Sequence, residues 1–133
     1  MSHYSEVQIE FRDRAALIAG LERLGLKGKV EIHQEAKSLY GYQGDRREQQ
    51  AHIIIRRQHV GPAANDIGFQ RHSDGAYRAW ISEYDRNHNG YNDSWLGRLK
   101  QAYGVERAKA EAKGYRVTEE KQGDGRIRLV CRR

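Results

Sequence analysis

The 133-residue chain has a single cysteine, Cys131, and a single proline, Pro62. One cysteine excludes an intramolecular disulfide and any zinc or iron–sulfur centre built from several thiolates. No apolar run approaches the ~18 residues that suggest a membrane span. A glycine-rich phosphate loop and a GxSxG elbow are also missing. The six histidines, His3, His33, His52, His59, His72 and His88, show no HxH, HxxxH or HExxH spacing, so only the fold could assemble a zinc site from them. The stretch MSHYSEVQIE has neither a basic leader with an apolar core nor an arginine-rich amphipathic pattern, so no targeting peptide is expected and the cytoplasm is the default setting.

What the chain does have is charge: 24 Lys and Arg against 18 Asp and Glu, a formal net charge of +6. That excess favours an anionic partner without naming one. The length suits one domain, residues 1–133, with a core that needs no metal or disulfide staple.

Val7, Ile9 and Phe11 alternate with polar residues, as in a strand with one buried face. Asp13 caps a helix carrying Leu17, Leu21 and Leu24, and Gly25 supplies its left-handed stop. A short strand is expected over residues 29–33, then a loop or irregular hairpin through the polar stretch EAKSLYGYQGDRREQQ. Three consecutive isoleucines in AHIIIRR, residues 51–57, predict a strand buried on both faces, the central one of the sheet. Strands follow at 66–69 and 76–84. From Ser94 to Ala112 the period is helical, with Leu96, Leu99, Tyr103 and Ala110 in one stripe, Trp95 and Ala102 on its flank, and Gly114 as its end. The last segment is a β-hairpin around QGDG. Keeping Tyr115, Val117, Ile127, Leu129 and Cys131 all inward requires a three-residue loop with Gly125 left-handed, pairing Val117 with Cys131 and Glu120 with Arg128. The sum is an α+β fold: a mainly antiparallel sheet with two helices on one face and a C-terminal hairpin.

Several residue sets suggest chemistry. DRNHNGYNDSWL places Asp85, Asn87, Asn89, Gly90 and Asp93 at positions 1, 3, 5, 6 and 9 of a calcium loop, but Leu96 stands where the closing glutamate belongs and a strand precedes the loop, so no metal is expected. The simpler reading is a strand-to-helix loop with Asp93 or Ser94 as the helix cap. Cys131, alternating with Ile127 and Leu129, reads as a small buried hydrophobe. Asp66, His72 and Asp85 form an acid–base set only if the fold gathers them. Arg56, Arg57, Arg78, Arg126 and Arg128, with Trp80, make a basic and aromatic face of the kind that binds single-stranded nucleic acid, although no signature motif accompanies them. Tyr40 and Tyr42 lie within a polar loop where the core does not require them. They suit an interface anchor or, equally, a lid folded over the sheet.

MSHYS, RDRAALIAGLERLG, YGYQG, AHIII, DIGF, the strand ending in EYD, LKQAY and the closing GYRV with DGRIRLVCRR together resemble, in order and nearly end to end, the hypothetical chloroplast reading frame thirty-five family of algal plastids, cyanobacteria and other bacteria. The resemblance implies a single domain of unknown function in cytoplasm or plastid stroma, with no catalytic residues and no cofactor. It also implies an accessory role beside a protein partner such as an ATPase. The expectation is therefore a non-enzymatic protein-contact domain with Tyr40 and Tyr42 at its interface. A nucleic-acid-binding module is the first alternative and an Asp/His enzyme the second.

Overall fold

The computed structural model describes residues 3–112 and 116–132. Strand β1 (Tyr4–Phe11) leads into helix α1 (Arg14–Leu21). The Asp13 carboxylate caps that helix by accepting the Ala16 N–H at 3.1 Å, and the Tyr103 hydroxyl accepts the N–H groups of Arg12 and Asp13, each at 3.0 Å. One wide helical turn, Glu22–Leu26, continues α1 and ends around Gly25, whose φ of +91° is the left-handed stop read from the sequence.

The sheet follows as β2 (Glu31–Tyr40), β3 (Arg46–Ile55), β4 (Ile67–Arg71) and β5 (Tyr77–Ser82), in the spatial order β1-β5-β4-β3-β2 with every pair antiparallel. β1 and β2 are thus outermost, and α1 crosses the whole sheet between them. The isoleucine strand is interior but not the middle one; β4 takes that place. Helices α2 (Glu83–His88) and α3 (Asp93–Glu111) come next, then the hairpin of β6 (Arg116–Lys121) and β7 (Ile127–Arg132).

Leu17 and Leu21 of α1 and Trp95, Leu96, Leu99 and Tyr103 of α3 close the main core against Phe11, Ile53, Ile55, Ile67, Phe69, Ala79 and Ile81 of the sheet. Both long helices therefore cover one face, as expected. They cross closely because Gly20 has no side chain: a Cβ there would lie 3.1 Å from the Tyr103 backbone nitrogen. Ala110, placed on the buried stripe by its spacing, is exposed; buried residues of α3 end at Val105.

The polar stretch from Glu35 to Gln50 is the irregular hairpin, not a loop. Ile32 faces Ile53 but Lys37 faces Ala51, so residues 33–36 bulge opposite His52. Beyond the bulge the hairpin folds over the other sheet face. There Leu39, Ala51 and Ile54 form a second small core beside Tyr4 and Trp80, which explains how all three isoleucines are buried.

Three local expectations need correction. Strand β5 stops at Ser82 and residues 83–88 are helical, because the Ser82 Oγ accepts the Asp85 N–H and starts α2. The cap of α3 is Asn92, whose side-chain oxygen accepts the Trp95 N–H at 3.1 Å, and not Asp93 or Ser94. Cys131 is exposed and not buried, since the hairpin forms its own two-stranded sheet outside the main core. The hairpin register itself is as expected: Val117 faces Cys131, Glu120 faces Arg128, and Gly125 has φ +88°. The helix stop at Gly114 and the side chains of Tyr115 and Val117 lie outside the described residues.

Candidate protein-contact site at the YGYQG turn

Tyr40, Gly41, Tyr42, Gln43 and Gly44 turn the β2–β3 hairpin, and the turn rests on a buried polar ladder. The ladder begins at Ser82, whose hydroxyl donates to Asp85 Oδ2 at 2.7 Å. The same oxygen accepts the Asn65 N–H at 3.0 Å, and Asp85 Oδ1 accepts from Asn89 Nδ2 at 2.8 Å. Asn65 passes the connection on, its Oδ1 accepting the Tyr42 N–H at 3.0 Å.

Asp66 makes the second rung. Its Oδ2 accepts the Tyr40 N–H at 2.8 Å and Arg56 Nη1 at 2.9 Å, and its Oδ1 accepts the Arg57 N–H at 2.7 Å. The Asp66 N–H donates to the Tyr40 carbonyl at 2.9 Å, while the Tyr4 hydroxyl donates to the Asp66 carbonyl at 2.6 Å. Asn65, Asp66, Ser82 and Asp85 are all essentially inaccessible to water, so each bond replaces hydration these groups lost on folding. Arg56 is shared with Glu31, whose carboxyl it holds below the usual carboxylate range. Burial, and then the Asp66 charge, push the Tyr4 phenol far above its ordinary value, so it remains a neutral donor.

The backbone of the turn is therefore fixed while its rings face outward. Tyr40 is 38% and Tyr42 39% exposed, and with Ile32 at 48% they are the exposed large hydrophobics of the described residues. The Arg56 guanidinium lies 5.8 Å from the Tyr40 ring centroid, and Arg57 Nη1 donates to the Tyr42 carbonyl at 3.1 Å.

The other residue sets are placed differently. Asp66 and Asp85 are brought together through Asn65, but their oxygens are taken up by backbone N–H groups, the Asn65 and Asn89 amides, the Ser82 hydroxyl and the Arg56 guanidinium, and His72 instead meets Glu6 at 3.1 Å. Asp85 of the calcium-like stretch points into the ladder, whereas the side chain of Asp93 is 88% exposed and pairs with Arg86. Among the described residues, no three His, Cys, Asp or Glu side chains gather as metal ligands. Arg78 lies between Glu10 and Asp74 at 2.7 and 2.8 Å, and half-buried Trp80 donates to Gln70 Oε1 at 2.9 Å. Arg126 pairs with Asp124, and Arg128 stands 4.0 Å from Glu120, both on the separate β6–β7 hairpin. Among the described residues, no helix is long and apolar enough to cross a membrane.

Asn65 is the residue of this candidate site that sequence reasoning missed. The signal was the adjacent Asn-Asp pair just before an apolar strand, two side chains suited to binding backbone N–H groups. Comparison with curated proteins and with solved structures finds no significant match. Comparison with protein families does: over residues 20–130 the chain matches the family described as protein of unknown function (DUF1257), and it belongs to that family.

Proposed function

We propose that the protein is a small non-enzymatic accessory domain that works by protein contact, with Tyr40 and Tyr42 as its anchors. The observation that carries this reading is the combination of outward rings with a backbone tied down by Asn65 and Asp66. Rings on a preformed turn lose little conformational freedom on binding, which is what an interface hot spot requires. The family resemblance suggests an ATPase as the partner class and the cytoplasm or plastid stroma as the setting.

The test is capture from the native host with tagged wild type, Tyr40→Ala and Tyr42→Ala, identifying both bound proteins and bound nucleic acid, alongside melting curves. Tyr42→Ala should leave the melting temperature nearly unchanged and cost about 2 kcal/mol or more in affinity for a protein captured by wild type. A loss of about 3 kcal/mol in stability, as for a core aromatic, with capture by the folded fraction intact, would make the rings a lid. Recovery of nucleic acid alone by all three proteins would transfer the function to the basic face.

A further inference from the structure

At the far end of β4 from the turn lies a cleft of about 360 Å³ that the contact reading does not use. The β2 bulge makes one wall, where His33, Gln34 and Glu35 stand opposite His52. Arg14 enters from the start of α1, Arg71 from the end of β4, and Tyr77 from β5.

Three features distinguish this cleft from a solvated basic surface. First, the guanidinium groups of Arg14 and Arg71 hold no carboxylate among the described residues, whereas those of Arg12, Arg23, Arg56, Arg78 and Arg86 do. Second, His52 Nδ1 accepts the Arg71 N–H at 3.0 Å. That bond places the ring proton of neutral His52 on Nε2, a donor with no partner among the described residues. Third, Tyr77 is only 4% exposed, its ring meets that of His52 edge-on at 6.4 Å, and its hydroxyl, with no protein partner among the described residues, is open to the cleft.

We propose that this cleft binds the phosphate group of a small phosphorylated molecule. Two guanidinium groups, an imidazole N–H and a phenol arrive from four elements, and a tetrahedral oxyanion can accept from several directions at once where a carboxylate offers only two oxygens. A cleft of this volume is the size of a phosphate with a short carbon skeleton. Glu35 is the one carboxylate on the wall and His33 is engaged with Glu31 at 2.9 Å, so positive charge predominates. Burial, and then Arg71 and His33, hold His52 below its ordinary 6.5; a bound dianion would relieve the repulsion between these cations.

The experiment follows the His33 and His52 ring resonances by NMR during titration with inorganic phosphate and, separately, with a short single-stranded oligodeoxynucleotide. Saturable shifts with phosphate are expected, with a raised His52 titration midpoint. His52 is faced there by Arg14 from α1, His33 and Glu35 from β2, Arg71 from β4 and Tyr77 from β5. Arg14→Glu, at an exposed position, should weaken binding about tenfold or more, the scale of one lost hydrogen bond to a charged group, and Arg71→Ala should do likewise. Absence of saturable shifts, wild-type affinity in both variants, or response to the oligonucleotide alone would overturn the proposal. Neither result depends on the tyrosine turn.

Discussion

Gly68 shows how far one hydrogen atom in place of a methyl group decides this fold. Its backbone is ordinary strand, so the constraint is space: a Cβ would lie 2.5 Å from the Ala51 Cβ and 2.8 Å from Leu39 Cδ2. Gly68→Ala is expected to destabilise by about 1–3 kcal/mol, the usual cost of overpacking, read as a lower melting temperature. Adding Leu39→Ala should cost less in that background than in wild type, because the two changes share one space. Asp66→Ala is the polar counterpart. It leaves the Tyr40 and Arg57 N–H groups and the Arg56 guanidinium without their acceptor, so a loss of about 3–5 kcal/mol is expected in chemical denaturation. Equal stability would show that water replaces the carboxylate. Local signals such as the Asp13 cap, the helix stop at Gly25 and the left-handed turn residue Gly125 were legible because each depends on a few neighbouring backbone groups. The role of Asp66 was not, because its donors come from Tyr40, Arg56 and Arg57, and only the folded-over hairpin brings Tyr40 to it. Cys131 misled for a related reason: alternation shows that two faces differ, not that either meets the core.

Elements are joined in this protein by a few strong ties, and the β6–β7 hairpin depends on one of them. Glu119 receives Arg23 from the turn after α1 and Lys109 from α3, both at 2.5 Å, and these partners draw its carboxyl from the ordinary 4.5 to about 2. A depressed carboxyl stabilises the docked state fully above its unfolded value and loses that contribution as pH falls through the folded one. The hairpin should therefore loosen between about pH 4.5 and 2, seen as faster exchange of β6 and β7 amides. Glu119→Gln should show fast exchange already at neutral pH and little further change on acidification. The hairpin register was readable from glycine placement and alternation, whereas its docking was not, since Arg23 and Glu119 are far apart in sequence. The extension of β2 to Tyr40 was hidden too: past the bulge it buries Leu39 alone, too little for a periodic signal. The α2 helix escaped notice because six residues are too few for a helical period to show, while Ser82 has already capped it.

On the scale of the whole molecule, one core unites the five-stranded sheet with α1 and α3, and the two-stranded sheet lies outside it. Two tiers of hydrogen-exchange protection should result even at neutral pH: amides of Ile53, Ile54 and Ala79 opening only with global unfolding, and those of β6 and β7 through a smaller opening. Uniform protection would mean that the hairpin and core unfold as one. The α+β class and the placement of both long helices on one face followed from the order of elements in the sequence. The strand order did not, because antiparallel strands with these connections can be arranged in more than one sequence across a sheet. The two irregular strands also carry a consequence for life in a crowded solution. β1 and β2 are the sheet's free edges, where unpaired N–H and C=O groups invite another chain to add itself as a further strand. Each edge is interrupted, β2 between Ile32 and Lys37 and β1 between Val7 and Phe11, so neither offers a long straight template. The bulge that shapes the proposed cleft thus also denies another chain a long straight edge to pair with, and a variant with β2 shortened to a regular strand is expected to form fibres more readily.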